Sequence, residues 1–440
     1  ALRNLAFFFS YAVDDESLWL WTQAIKAKAM PLEARAALKD YLALSQQGKH
    51  RAEALLSLGE LAYQGKDIDA ALGHWEELAQ TFPQDSLAAL ARVRTADIYF
   101  DRGRHAQAGK LYTSLRAALH GDLLRHASAR EALCELKEGN LAKAERLMEA
   151  FKKQFSDRRS EAAFLYEKGN FLIDQKNFKE AEAVFKDLTG KYKDISEGAE
   201  GELGLGRLYV ILNRTEDALK ILTNIPNKYK DPDVVAAAYV NLGDFYYENR
   251  QLENCIFACR QAIQAQKHGP EHAEAVRILI RAYDDFRLWD QAIALTREYV
   301  ESYPDASDVM VKRSQIGVFL YDLKDYDRAI SYLRELKPLV DADTETELQY
   351  WIAKCYADRG DTEEAITEFL KVKYLCKETK LPWGATALYE AAQSYRKLGE
   401  LKKAKDLFQE IVRDRGAADQ IGRVANERIK EIEEELAKSS

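Results

Sequence analysis

Two pairs of side chains in the sequence have the spacing of a chemical site. His268 and His272 stand as H-x-x-x-H, which on one helix would aim two imidazoles at the same metal ion. Gly269 and Pro270 lie between them and mark a turn, and no third ligand is nearby in sequence. Cys255 and Cys259 have the i, i+4 spacing of a thiolate pair. They occupy slots held elsewhere by Ala108 and Tyr112, or by Ala181 and Phe185, so buried packing is their expected role. The remaining histidines, His50, His74, His105, His120 and His126, are scattered through the N-terminal third, and no glycine-rich phosphate loop follows a strand. The sequence is therefore read as that of a non-enzyme, with no catalytic residues, no metal and no cofactor.

Composition points to helices as the elements that position everything else. Hydrophobic residues make up 47% and charged residues 31%, with only 8 prolines and 22 glycines among 440 residues, too few turn formers for an all-β fold. The net charge of −8 argues against a nucleic-acid partner, whose phosphates require a concentrated basic surface. Residues 1–160 carry +2 and residues 161–440 carry −10, so any electrostatic preference is for a basic partner on the C-terminal two-thirds. No apolar run is long enough to span a bilayer. The longest, Leu5 to Val13, is expected to form a terminal helix over the open end of the fold, and Met30-Pro31 to be a hinge in a degenerate first helix pair over residues 15–47. Five cysteines, Cys134, Cys255, Cys259, Cys355 and Cys376, show no disulfide framework.

Internal repetition is the strongest signal. A turn recurs at Gly65, Gly103, Gly139, Lys176, Asn213, Arg250, Arg287, Lys324, Gly360 and Gly399, at spacings of 36 to 39 residues. Five residues after each turn stands a small side chain, from Ala70 and Ala108 through Cys255 to Ala365 and Ala404. Nine residues before that slot a large one recurs, as Tyr99, Tyr209, Tyr246, Tyr283, Tyr356 and Tyr395, with Leu61, Leu172 and Leu320 in three of the gaps. Three residues earlier again, Ala96, Ala132, Gly169, Gly206, Gly243, Gly317, Ala353 and Ala392 are small. Four residues after the second small slot, Tyr112, Met148, Phe185, Leu222, Leu333, Phe369 and Phe408 are large. Small residues where two helices cross and a ring beside the crossing describe a unit of helix A, tight turn and helix B. Pro83, Pro232, Pro270, Pro304 and Pro382 fall between one helix B and the next helix A.

This pattern resembles the tetratricopeptide repeat over residues 50 to 415. The expected fold is all-α, a right-handed α-solenoid of about ten such repeats. Residues 1–49 are expected to supply N-terminal helices and a degenerate first repeat, 50–415 the superhelix, and 416–440 a polar C-terminal capping helix. The resemblance implies a scaffold that holds a protein or peptide in a concave groove lined by the A helices. Tyr303-Pro304-Asp305-Ala306 and Phe82-Pro83-Gln84-Asp85 are similar to segments of bacterial cell-envelope tetratricopeptide proteins, which include outer-membrane assembly lipoproteins and the periplasmic partner of the Tol-Pal system. That likeness tilts the expected location towards the periplasm over the cytoplasm.

The slot two residues before each turn reads Tyr63, Asp101, Lys137, Asp174, Ile211, Glu248, Asp285, Asp322, Asp358 and Lys397. Six of these ten are acidic although they sit at the negative end of a helix dipole, a placement costing up to ~1 kcal/mol each, so a basic partner is one reason for them. The neighbouring cations Arg102, Lys176, Arg250, Arg287, Lys324 and Arg359 offer ordinary surface solvation as another. Phe100, Tyr166, Tyr247, Tyr321, Tyr350 and Tyr389 add rings to this face, and Asn170, Asn241 and Gln393 add partners for a peptide backbone. Arg207, Arg281 and Lys354 interrupt the acidic stripe. The expectation is a non-catalytic scaffold, monomeric or part of a hetero-complex, binding a protein or peptide with a preference for a basic one. The alternatives are a cytoplasmic adaptor, the helical portion of a larger enzyme or machine, and a structural protein assembling through its end repeats.

Overall fold

A computed structural model describes residues 14–27, 31–416 and 418–439. The segment Leu5 to Val13 and the residue Met30, for which a terminal helix and a hinge were expected, lie outside the described residues. Helices α1 (Asp15–Ala27) and α2 (Pro31–Leu44) precede the regular array. Then A and B helices alternate, beginning with α3 (Arg51–Gln64) and α4 (Ile68–Thr81), α5 (Ser86–Asp101) and α6 (His105–Leu115), and α7 (Gly121–Lys137) and α8 (Leu141–Gln154). They continue as α9 (Arg158–Asp174) and α10 (Phe178–Lys191), α11 (Glu197–Ile211) and α12 (Thr215–Lys228), and α13 (Pro232–Glu248) and α14 (Leu252–Ala265). The last pairs are α15 (Pro270–Asp285) and α16 (Trp289–Ser302), α17 (Val309–Asp322) and α18 (Tyr326–Leu336), α19 (Ala342–Arg359) and α20 (Thr362–Tyr374), and α21 (Trp383–Lys397) and α22 (Leu401–Arg415). Helix α23 (Gln420–Ser439) closes the series. The fold is thus all-helical, with the sequential pairing of a tetratricopeptide α-solenoid. Contacts gather the helices into two compact units, the first ending at Ile221 and the second beginning at Leu222, inside α12.

The turn between A and B is the same in every repeat. At each of ten positions one residue takes a left-handed conformation: Lys66, Gly103, Gly139, Lys176, Asn213, Arg250, Arg287, Lys324, Gly360 and Gly399. In the turn at Lys176, its N–H donates to the Ile173 carbonyl (2.8 Å) and the Asn177 N–H reaches back to Leu172 (2.8 Å). These two bonds satisfy carbonyls that the end of helix A would otherwise leave unpaired. Nine of the ten turn positions expected from sequence are the left-handed residue itself. The first is corrected: Gly65 has φ −80° and the left-handed residue is Lys66.

That shift moves the whole first repeat by one residue. Its small B-helix residue is Ala71, fully buried, whereas Ala70 is only half-buried. With Ala71 in register, the slot is buried at Ala108, Ala144, Ala181, Ala218, Cys255, Ala292, Ala329, Ala365 and Ala404 as well. The residue four further on becomes Trp75, and its partner on helix A, sixteen residues earlier, becomes Gly59.

This small-to-large pair is the joint of each repeat. A Cβ built on Gly59 would lie 2.1 Å from the Trp75 ring, one on Gly169 would lie 2.4 Å from Phe185, and one on Gly317 would lie 2.2 Å from Leu333. Where the A-helix residue is Ala, as at Ala96, Ala132, Ala353 and Ala392, it is fully buried beneath Tyr112, Met148, Phe369 and Phe408, which are themselves buried. Each such side chain removed from water contributes about 1.5–3 kcal/mol. In the first unit Phe185 also presses on the next A helix, where a Cβ on Gly204 would lie 2.3 Å from its ring.

Within the first unit α3 packs on α5, α5 on α7, α7 on α9 and α9 on α11, so the A helices touch one another directly. The second unit repeats this with α13 on α15, α17 on α19 and α19 on α21. Within each unit the B helices other than α12 pack on the A helices before and after them in sequence. Aspartates cap several starts: Asp85 accepts from the Leu87 N–H (2.8 Å) and Asp341 from the Thr344 N–H (2.8 Å). At the C-terminal end α23 buries Ala425, Ile429 and Ile432 in a cluster with Leu388, Phe408 and Ile411, which makes it the expected capping helix.

Because Gly169 has no room for a side chain, Gly169→Val is expected to cost about 1–3 kcal/mol and lower the midpoint of a circular-dichroism melt. Phe185→Leu in the same chain should recover part of that loss. Gly190→Ala, on a helix where nothing lies within 4 Å of the new Cβ, should leave the midpoint unchanged or raise it.

Candidate functional site

The last turn of helix A, just before the left-handed residue, carries the acidic slot and, one residue before it, Phe100, Tyr247 and Tyr321. In the second unit they form rungs from one repeat to the next. Tyr247, three residues before its turn, donates its hydroxyl to Asp285 Oδ2 at 2.8 Å, and Asp285 lies two residues before the following turn. Arg250 adds a bond to the same oxygen at 2.9 Å, and the Arg281 guanidinium lies 4.5 Å from the centre of the Tyr247 ring. Tyr321 makes the same hydroxyl bond to Asp358, and Lys354 stands 3.6 Å from that carboxylate. Burial and the adjoining carboxylate push both tyrosine hydroxyls above their ordinary pKa.

Between these rungs the pattern breaks. The tyrosine slot of the repeat turning at Arg287 holds Asp284, and the acidic slot of the next repeat holds Asp322. Both carboxyls are half-buried. Burial raises the pKa of Asp322, the charge of Asp284 raises it further, and Arg287 only partly opposes them. Asp284 is raised by burial, with Asp285 adding to the effect and a hydrogen bond to Trp289 and the charge of Lys312 opposing it. Glu248 is exposed and has no ion-pair partner among the described residues.

In the first unit the same face is plainer. Phe100 is half-buried beneath Arg130 (4.4 Å to the ring centre) and edge-on to His105 (5.0 Å). Asp101 is exposed, 3.9 Å from Arg130. Asp174 is exposed without an ion-pair partner among the described residues. Lys137, in the same slot, pairs with Glu167. Asn170 is half-buried, and its Oδ1 is buried with no hydrogen-bond partner among the described residues. The first acidic-slot residue is Gln64, not Tyr63, because of the shifted turn.

The rings ten residues before each turn belong to packing. Tyr350, expected to line the groove, is 8% exposed, with its ring centre 5.0 Å from Trp383 and 5.8 Å from Phe369. It is a core residue, because this slot points between its own helix B and the next helix A. Tyr166 and Tyr389 share the slot and are half-buried on Phe185 (6.1 Å) and Phe408 (5.4 Å). The Tyr389 hydroxyl accepts bonds from Gln393 (3.0 Å) and Arg428 (3.3 Å), and Asn241 donates to the Ala237 carbonyl of its own helix (2.7 Å). Two of the three amides expected to meet a peptide backbone are therefore already bonded.

The sequence reading missed three acids on these faces. Asp284 sits in a slot otherwise read as aromatic, and Asp244 pairs with Arg281 at 3.0 Å. In the first unit Asp97 accepts hydrogen bonds from Tyr112 (2.6 Å) and His126 (2.7 Å) beside a cavity of about 350 Å³ lined by Arg94, Asp122 and Ser160. Burial alone would raise the Asp97 carboxyl, but those two bonds and the charges of His126 and Arg130 hold it below its usual range.

Of the two pairs that suggested chemistry, both cysteines and one of the histidines are buried, while His268 is exposed. Cys255 and Cys259 are fully buried in the core of the second unit, and all five cysteines are free. His272 is buried with Nδ1 2.6 Å from the Tyr303 hydroxyl, its ring 6.2 Å from that of His268.

The fold favours protonated Asp284 relative to the unfolded chain, whose aspartates titrate near 3.8. The resulting penalty is absent below that pH, grows as pH rises from there towards the folded pKa, and is complete above it. Asp284→Asn should therefore raise the melting midpoint at neutral pH, with the gain fading in melts run below pH 3.8.

Comparison with known proteins bears on the repeats. Models of the tetratricopeptide repeat match residues 31–86, 129–199, 236–268, 258–307 and 344–415, more than half of the chain between them. No curated protein matches it. Among solved structures, that of YrrB, described as a TPR protein with an unusual peptide-binding site, aligns at 19% identity and a TM-score of 0.32 over 47% of this chain and 96% of that one. With the matched stretches falling on the alternating A and B helices described above, the chain is a tetratricopeptide repeat protein.

Proposed function

We propose that the chain is a non-catalytic scaffold that binds a protein or peptide segment along its A-helix faces and prefers a basic one. The observation that carries this reading is the division of labour among the acids of the second unit. Asp285 and Asp358 are occupied by tyrosine hydroxyls and cations of the array itself, whereas Glu248 and the Asp284–Asp322 pair have charge to spare. A lysine or arginine from a partner would offset the repulsion that Asp284 exerts on Asp322 and favour the ionised form of both carboxyls. Tyr247 and Tyr321, already held in place by their hydroxyl bonds, offer ring surface that loses little freedom when a ligand covers it. In the first unit Asp174, Phe100, Asp101 and Asn170 extend the same kind of face.

The proposed setting is a bacterial envelope-associated assembly. It rests on the likeness of the Phe82–Asp85 and Tyr303–Ala306 segments to those of envelope tetratricopeptide proteins. In this chain both segments are the short connections from one helix B to the next helix A.

A library of short random peptides selected on the full chain tests the function. The enriched sequences are expected to carry Lys or Arg. Their affinity, measured by calorimetry, should fall about tenfold in Asp174→Asn/Glu248→Gln/Asp284→Asn/Asp322→Asn, a difference of about 1.4 kcal/mol. If that variant keeps its helical spectrum and binds the same peptides equally well, the basic-partner reading fails.

A further inference from the structure

The connection between α20 and α21 differs from every other in the array. Links from a helix B to the following helix A are three to six residues long, whereas this one runs from Leu375 to Pro382, eight residues. The extra length accounts for the longest interval between turns, from Gly360 to Gly399. The loop is held in one shape by its own bonds. The Cys376 N–H donates to the Lys371 carbonyl (3.1 Å), the buried Thr346 hydroxyl of α19 is shared between the Ala342 (2.9 Å) and Lys377 (3.1 Å) carbonyls, and the Thr379 hydroxyl donates to the Leu381 carbonyl (2.6 Å).

A loop so fixed nevertheless leaves large apolar side chains in water. Leu375 is 77% exposed, Leu381 61% and the neighbouring Tyr374 53%. Beside them opens a cavity of about 410 Å³, floored by Val372, Leu388 and Ile411 and rimmed by Lys377, Leu381 and Arg415. That volume is within the range of ligand pockets, roughly 300–1,000 Å³.

The charges around the opening are not all spent. Lys373 is paired with Asp414 (2.8 Å) and Arg415 with Asp419 (3.0 Å). Lys377, which lines the cavity, and Lys380, farther along the loop and outside that lining, are exposed and have no ion-pair partner among the described residues; Glu378, also in the lining, is the one acid of the loop. This cationic opening belongs to a unit that carries −7 over residues 222–440.

We propose that this loop and its cavity form a second interaction surface, which takes an acidic peptide segment by seating one apolar side chain in the cavity and placing carboxylates against Lys377 and Lys380. An acidic segment is the occupant that complements those two lysines, and a basic one would meet like charge at the rim. The cavity favours a peptide over a membrane surface, because a bilayer is met by protruding tips and has no single side chain to insert. The surface lies at the start of α21, whereas the slot before the turn lies at the other end of each A helix, in α21 at Lys397, about 20 Å away along a fifteen-residue helix. The two surfaces therefore select opposite charges, and this second one does not depend on the A-helix reading.

The test starts from acidic peptides with a large apolar residue, selected from a random display library on the full chain. Each is titrated by fluorescence polarisation against the parent, against Leu375→Ser/Leu381→Ser and against Lys377→Glu/Lys380→Glu. All four positions are exposed, so the variants should fold, and circular dichroism checks this. The expected result is a class of acidic peptides whose Kd rises about tenfold or more in both double variants and is unchanged in Asp284→Asn/Asp322→Asn. The proposal is overturned if no acidic peptide is enriched or if the enriched ones bind both loop variants as tightly as the parent. It is equally overturned if the loop variants instead lose sedimentation with vesicles of equal parts phosphatidylcholine and phosphatidylglycerol, which would assign the loop to a lipid surface. Failure of the A-helix reading would show separately, as basic peptides indifferent to the aspartate changes.

Discussion

The array depends on one contact made again and again: a large side chain of each helix B seated on a helix A residue too small to push it away. Where the A-helix residue is Gly59, Gly169 or Gly317, an added methyl group would sit inside the partner side chain. Where it is Ala96, Ala132, Ala353 or Ala392, the contact is closed to water. This joint brings the two helices close, and the left-handed residue between them sets the angle at which they leave the turn. Six of the ten left-handed positions hold Lys, Arg or Asn instead of Gly, at a backbone cost of roughly 1 kcal/mol each. Five of the six are cations beside the negative end of helix A, where their charge returns part of that cost.

With the A and B helices locked, the end of each A helix projects beyond the turn in a constant register, and the chemistry of this end is free to vary. In the second unit it varies in a way that distinguishes structural acids from available ones. Tyr247 with Asp285 and Tyr321 with Asp358 tie neighbouring repeats together, at a distance from the core that leaves them partly wet. Asp284 and Asp322 hold the equivalent slots of their repeats, and the charge of Asp284 raises the Asp322 carboxyl. A repeat that conserves its joint while changing one rung is a simple route from a uniform stack to a surface with a preferred partner.

The fold was legible in the sequence because the joint is written in residue size at a fixed interval. Nine of the ten turns were placed on the residue that carries the strain, and the tenth slipped because Gly65 stands next to Lys66 and glycine is the expected occupant of a left-handed turn. The slip hid Trp75 and Gly59 from the pattern, although both follow it once the register is moved. The binding face was less legible. Slot position alone put Tyr350 among exposed rings, whereas its neighbours Trp383 and Phe369, one from the following repeat, enclose it. Counting acids along a slot likewise could not separate Asp285, which is bonded, from Glu248, which has no ion-pair partner among the described residues. That distinction depends on which side chain the previous repeat supplies, more than thirty residues away.

Hydrogen–deuterium exchange of the full chain, alone and saturated with a selected basic peptide, tests the scaffold account most directly. Binding along the A-helix faces is expected to slow exchange in the last turns of α13, α15, α17 and α19, around Glu248, Asp285, Asp322 and Asp358, and to leave the outer turns of the B helices unchanged. Protection confined to the B helices, with those A-helix ends exchanging as fast as in the free chain, would contradict it.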